Sequence, residues 1–406
     1  MPPIDLPSVR ARFPALAGTD AFLDGPGGSQ VPDAVGVAMT RYLFGHNANL
    51  GGEFPTSVSS VALMDEARRA AADFVGGSPT EIAFGPNMST LNFLLAHAVA
   101  RTLEPGDEIV TTVLDHDANI SPWLQVADDL GLFVRTVPVT DPDLAIDLDA
   151  LEAALSPRTR VVAFALASNA VGTVTPAKRI ADLAHDAGAL AWADAVHFAP
   201  HRRIDVRQLA VDVLLCSPYK FFGPHMGIAW ARRRLLESWP ADRVRAADET
   251  PPGHRFELGT QSHEAIAGFV ASVDYLASLG SGLDRPRRLD SAFAAIQVHE
   301  EELARRFLIG LDGVPGVRLH GIGDPERVGE RTPTFCITIA GHSPRTVAQR
   351  FADRGINVWD GNYYAPELMA HLGLEDHGGG VRIGFLHYTS PGEVDRALTV
   401  LRLAAG

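Results

Sequence analysis

Lys220 lies in the stretch "SPYKFFGPHMG", among Tyr219, Phe221 and Phe222, directly after the apolar run "VDVLL". A lysine is costly to bury unless it is paired or used, and a buried lysine of depressed pKa is a good nucleophile toward a carbonyl. Other residue types with chemistry follow other apolar runs. After "EIAF" comes "GPNMST", a turn through Asn87 and Met88 with Ser89 and Thr90 opening a helix. Free N–H groups at a helix start attract an anion; a plain N-cap is the competing reading. In "DHDANISPW", His116 stands between Asp115 and Asp117. Neighbours on an extended chain point apart, which argues against a shared metal and leaves His116 as a flat ring for stacking. Asn169 follows "RVVAFALA", and Asp194 and His197 follow "ALAWA". A carboxylate in that position is partly buried and needs a cation or several donors.

The elements that must position these residues alternate. "EIAFG", "DEIVTT", "FVRTVPV", "TRVVAFALAS", "ALAWADA", "VDVLLCS" and "MGIAWA" read as seven strands. Helices are expected over 89–102, 121–131, 148–155 and 176–188. This predicts an α/β fold with a mostly parallel seven-stranded sheet, whose sites form beyond the carboxyl ends of the strands. Past Ser262 the texture changes: a long helix over 287–311, then strands and helices of a smaller α+β unit. The expected organisation is an N-terminal segment (1–20) packing on the small domain, a large domain (21–285) and a small C-terminal domain (286–406). The 406 residues are 46% hydrophobic and carry a net charge of −14, which argues against nucleic acid as a partner. No apolar run approaches the length of a membrane span and no secretion signal is visible, so a cytoplasmic protein without membrane contact is expected. The two cysteines, Cys216 and Cys336, read as buried reduced thiols.

An anion site, a flat ring, a buried carboxylate and a lysine together fit one ligand, pyridoxal phosphate. Lys220 would meet its aldehyde and Asp194 its pyridine nitrogen. The motifs then resemble, in order, those of the class V aminotransferase family, cysteine desulfurase group, of fold type I: "FLDGPGGSQVP", "LDHDANISPW", "SNAVGTVTP", "ADAVHFAPH", "CSPYKFFGPHMGI", "RFELGTQS" and "VRIGFLHYTS". The resemblance implies catalytic roles for Lys220 as the Schiff-base lysine, His116 as the ring stacked on the cofactor and Asp194 on the pyridine nitrogen. It places Asn169 near the phenolic oxygen, Ser217 on the phosphate with Asn87, Met88 and Ser89, His197 where the family has glutamine, and Tyr219 where it has histidine. Thr260 is implied to reach the phosphate of a second subunit, hence a homodimer with shared active sites. Arg382 is implied to clamp the substrate carboxylate, in a substrate site with Gly27, Gly28, Asn169, Asn362 and Tyr364.

Departures from the pattern bear on the reaction. The loop that carries the desulfurase cysteine is here "WDGNYYAPEL" (359–368), with Tyr364 in the cysteine's place. Tyrosine cannot carry a persulfide. "NANLGGE" (47–53) likewise lacks the family's His-Arg pair. The expectation is β-elimination from an amino acid, of C–S lyase type. Alternatives are a class V aminotransferase, an amino-acid epimerase, a desulfurase with a relocated nucleophile, and a catalytically silent cofactor-binding regulator, which the presence of Arg382 disfavours. A nicotinamide enzyme fits poorly, because "GPGGSQ" (25–30) lacks dinucleotide spacing.

Overall fold

The computed structural model describes residues 4–405. Seven strands form the central sheet: Ile82–Gly85 (β1), Glu108–Thr112 (β2), Phe133–Val137 (β3), Thr159–Ala165 (β4), Leu190–Asp194 (β5), Val213–Cys216 (β6) and Gly227–Ala231 (β7). Their order is β1-β7-β6-β5-β4-β2-β3. β2 to β6 run parallel, and β7 is antiparallel to both β6 and β1. The carboxyl ends of β1, β2, β4, β5 and β6 therefore lie along one edge. Both faces of the sheet are buried. Val162, Phe164, Ala191, Ala193 and Leu214 pack into one cluster, while their neighbours Val161, Ala163, Trp192, Val213 and Leu215 pack into the other. The period-2 alternation of a strand places an apolar layer on each side, which is why these strands read as unbroken apolar runs.

The strand expected through Val139 stops at Val137. Pro138 has no N–H to continue the ladder, and Val139–Thr140 pairs with Ala145–Ile146 instead. The helices Asp33–Gly45 and Pro55–Val75 had no counterpart in the sequence reading. Several of their apolar residues, Val37, Phe44 and Val58 among them, face solvent, which blurs the amphipathic period.

A second, antiparallel sheet comprises Val317–His320 (β8), Thr334–Ile339 (β9), Trp359–Gly361 (β10) and Gly380–Gly384 (β11), ordered β8-β9-β11-β10. Its register sets Arg382 between Cys336 of β9 and Trp359 of β10. The helix Arg285–Leu311 joins the two sheets. Its first half, with Phe293 and Ile296, packs on the large core, and its second half, with Leu303 and Phe307, packs on the small one. Residues 1–3 of the expected N-terminal segment lie outside those described. Further on, Arg10 bonds to Tyr388 O and Glu393, while Phe13 packs edge-on against Phe222 and Tyr275.

Candidate active site

The aligned strand ends open onto a cavity. Lys220 enters it from the short turn Pro218–Lys220 after β6. Its Nζ donates to Pro26 O (2.5 Å) and Gly27 O (3.1 Å) and stands 5.0 Å over the Tyr219 ring. Burial, aided by the charge of Arg382, pushes the ammonium pKa down to about 7; Asp194 opposes the shift. Asp194 ends β5 and is 5% exposed, with one carboxylate oxygen accepting from Val196 N (2.8 Å). Burial pushes this carboxyl up to about 6. His116 follows β2, and its Nδ1 accepts from Ala118 N (3.0 Å), so any proton sits on Nε2. Burial and the charges of Lys220 and Arg382 push its pKa down to about 4, leaving a neutral ring. Behind it, Asp115 is wholly buried and takes hydrogen bonds from Thr112 Oγ1 and Asn119 Nδ2. Burial raises this carboxyl to about 7.

At the other end of the cavity the helix Met88–Ala100 begins one residue earlier than expected. Asn87 is its cap, accepting from Thr90 N (2.8 Å), and Ser89 is already helical. Met88 N donates to Ser217 Oγ (3.1 Å), so the helix start and the turn after β6 meet. Asn87, Met88, Ser89 and Ser217 all line the cavity there.

Asn169, His197 and Tyr219 complete the wall. Asn169 faces the loop that departs from the family pattern. Its Nδ2 donates to Tyr363 O (2.8 Å), and its own carbonyl accepts from Arg382 Nη1 (3.0 Å). Arg382 is buried behind the wall and does not line the cavity; its guanidinium lies 4.5 Å over the Tyr363 ring and its Nε has no partner among the described residues. Tyr363 and Tyr364 both hold left-handed backbone, φ 57° and 56°, unusual for aromatic residues. Tyr364 is 70% exposed and stacks on His116, ring centroids 5.4 Å apart at 24°. It lies outside the cavity, as does exposed Asn362, whose side chain accepts from Tyr364 N (3.1 Å) and holds the loop. Gly27 contributes its carbonyl, and Gly28 packs under Tyr219. Thr260 is exposed and away from this chain's cavity. Both cysteines are wholly buried; burial lifts the Cys216 thiol far above its ordinary range and the Cys336 thiol to about 12. Tyr363, expected to line the substrate pocket with Asn362 and Tyr364, is instead buried against Arg382 outside the cavity and meets Asn169 through its carbonyl. Pro26, Thr332 and Thr334 escaped the sequence reading. Pro26 acts through a backbone carbonyl, which no residue type announces. The two threonines reach His197 from the second sheet, with nothing in their spacing to signal it.

An anion-binding helix start, a neutral flat ring, a buried carboxylate and an amine of lowered basicity share one cavity. That donor set suits a phosphate-bearing pyridine aldehyde. The comparisons agree. Residues 21–397 match the family described as Aminotransferase class-V. "Aminotransferase-like protein FGM3" of Gibberella zeae is 32% identical, over 98% of this chain and 97% of that protein. "Probable cysteine desulfurase 2" of Mycobacterium leprae is 30% identical, over 98% and 97%. The apo structure of a cysteine desulfurase from Thermococcus onnurineus superposes with a TM-score of 0.89 at 26% identity, covering 100% of this chain and 99% of that one. The chain belongs to the class V aminotransferase family and is a pyridoxal-phosphate-dependent enzyme of fold type I.

Proposed function

We propose that this enzyme eliminates the β-substituent of an amino acid, releasing it to solvent. When bound, pyridoxal phosphate supplies a sink for the electron pair left on the substrate's α-carbon. Asn87, Met88, Ser89 and Ser217 hold its phosphate; the helix dipole and free N–H groups favour the dianion. Asp194 would hold the proton on the pyridine nitrogen, and the His116 ring would stack on the cofactor and fix its orientation. Lys220, whose pKa burial lowers to about 7, takes the α-proton as a base. Arg382, held behind the wall on the carbonyl of Asn169 (3.0 Å), would have to swing into the cavity to meet the substrate carboxylate. The electron pair of the broken Cα–H bond becomes the Cα–Cβ double bond as the β-substituent leaves with its own bonding pair. Water then converts the enamine to a 2-keto acid and ammonia. The observation that carries elimination over sulfur transfer is that Tyr364 occupies the loop and both thiols are sealed in the cores. Incubation with β-substituted amino acids tests it, scoring sulfide, pyruvate, other keto acids and D-isomer together. Released β-substituent with equimolar pyruvate is expected. Keto acid with the β-substituent retained would make the enzyme an aminotransferase, and D-isomer an epimerase.

We further propose a homodimer whose second copy brings Thr260 to the phosphate. Phe54, Val58 and Val61 are exposed at i, i+4 and i+7, and Val37 and Phe44 are exposed on the helix Asp33–Gly45. Leu258, two residues before Thr260, is exposed as well. An apolar surface of this kind suits a self-complementary two-fold contact.

A further inference from the structure

His116 is held by one edge and by one face. At the edge, Nδ1 accepts from Ala118 N (3.0 Å). A single hydrogen bond at one ring atom restrains the tilt of the plane only weakly. The face is held by Tyr364, whose ring centroid lies 5.4 Å away at an interplanar angle of 24°. Offset stacking of this kind constrains the planes of both rings. His116 lines the cavity and Tyr364 does not. The surface that the imidazole turns to the cavity is therefore not the one the tyrosine covers.

The Tyr364 side chain is 70% exposed, so burial does not hold it on the imidazole. The backbone does. The Tyr364 carbonyl accepts from Asp117 N (2.7 Å), and the Tyr364 N–H donates to Asn362 Oδ1 (3.1 Å). One residue earlier, the Tyr363 carbonyl accepts from Asn169 Nδ2 (2.8 Å), and the Tyr363 ring lies under the Arg382 guanidinium (4.5 Å). Tyr363 and Tyr364 hold left-handed backbone, at φ 57° and 56°. Aromatic residues keep such a backbone only where the surroundings over-determine it, and these bonds do so. Asp117 is itself tied to the next helix, its Oδ1 accepting from Ser121 Oγ (2.9 Å). Two consecutive residues after β2 thus meet one tyrosine: Asp117 bonds its backbone and His116 stacks on its ring.

We infer that Tyr364 is a positioning residue: it fixes the tilt of the His116 ring from outside the cavity, before any cofactor is bound and without touching substrate. The consequence for function rests on the cofactor reading of the cavity, in which the His116 ring is the surface that orients the cofactor. The test compares the parent with Tyr364→Ala and Tyr364→Phe. Both variants keep a Cβ and hence the same backbone strain; phenylalanine keeps the stacked ring and alanine removes it. In the cofactor-free protein carrying isotope-labelled histidine, the ring signals of His116, assigned by their loss in His116→Asn, should shift in the alanine variant and stay close to the parent's in the phenylalanine variant. After loading with pyridoxal phosphate, the circular dichroism of the visible band should weaken relative to its absorbance in Tyr364→Ala alone. The dissociation constant for pyridoxal phosphate should rise about 2–10-fold in that variant, because ordering that the stack supplies in advance is left to binding. Unmoved His116 signals in the alanine variant, equal dichroism in all three proteins, or a loss shared by the phenylalanine variant overturns the inference. A dichroism that departs from the parent's only once β-chloro-L-alanine is added would make Tyr364 a substrate contact, which overturns it as well. A parent protein that takes up no pyridoxal phosphate would refute the cofactor reading, with the histidine signals still deciding whether Tyr364 positions the ring.

Discussion

At the scale of single residues, the site runs on side chains moved from their ordinary pKa by burial. Asp194 is the clearest case. Its carboxyl rises from 3.8 to about 6. Between those values the folded cofactor-free chain holds a proton that the unfolded chain has lost. The stability from this group is therefore full below about pH 4 and is lost as pH rises through about 6. Asparagine keeps the bond to Val196 N and cannot ionise. Asp194→Asn is expected to stabilise the cofactor-free protein above pH 7 by about 2–3 kcal/mol, with the gain fading toward pH 4. Denaturant titrations at pH 4 and pH 8 measure it, and a variant less stable than the parent at pH 8 would contradict the raised pKa. Residues of this kind were legible in the sequence because their type is their function: Lys220, Asp194 and His116 each stand after an apolar strand with a group that does chemistry. The carbonyls of Pro26 and Gly27 that hold Lys220 were not legible, because every residue has one.

At the scale of elements, strand position settles what the two cysteines can do. Cys216 is the last residue of β6 with its side chain in the large core, and Cys336 lies mid-strand in β9, fully covered. A thiol with raised pKa and no solvent access is inert. Cys216→Ala with Cys336→Ala is expected to leave turnover within about twofold, and mass spectrometry of the working enzyme to find no added sulfur. A persulfide on either cysteine would instead point to a relocated sulfur carrier. The central strands could be read because burial on both faces gives continuous apolar runs. The loop of Tyr363 and Tyr364 could be placed but not oriented. Its left-handed backbone buries Tyr363 under Arg382 and turns Tyr364 out onto His116, and neither outcome follows from two adjacent tyrosines.

At the scale of the whole molecule, two features bear on the account. The homodimer proposed above would cover exposed apolar residues of the helices Asp33–Gly45 and Pro55–Val75. Phe44, 88% exposed, is the natural probe. Phe44→Asp should shift the protein toward monomer in sedimentation and lower its cofactor occupancy, whereas a parent protein that is monomeric and fully active would rule out shared sites. The other feature is the lysine complement. The 406 residues contain two lysines, Lys178 and Lys220. Lys178 is exposed on the outer face of the helix Ala177–Asp186, paired with Asp182 one turn on (2.8 Å). Borohydride reduction of the cofactor-loaded enzyme followed by peptide mapping thus has one informative choice to make. The cofactor should be fixed to the peptide carrying Lys220, with loss of the visible absorption band and of activity. Attachment to Lys178, or no attachment with activity retained, would contradict the assignment of this cavity as the cofactor site.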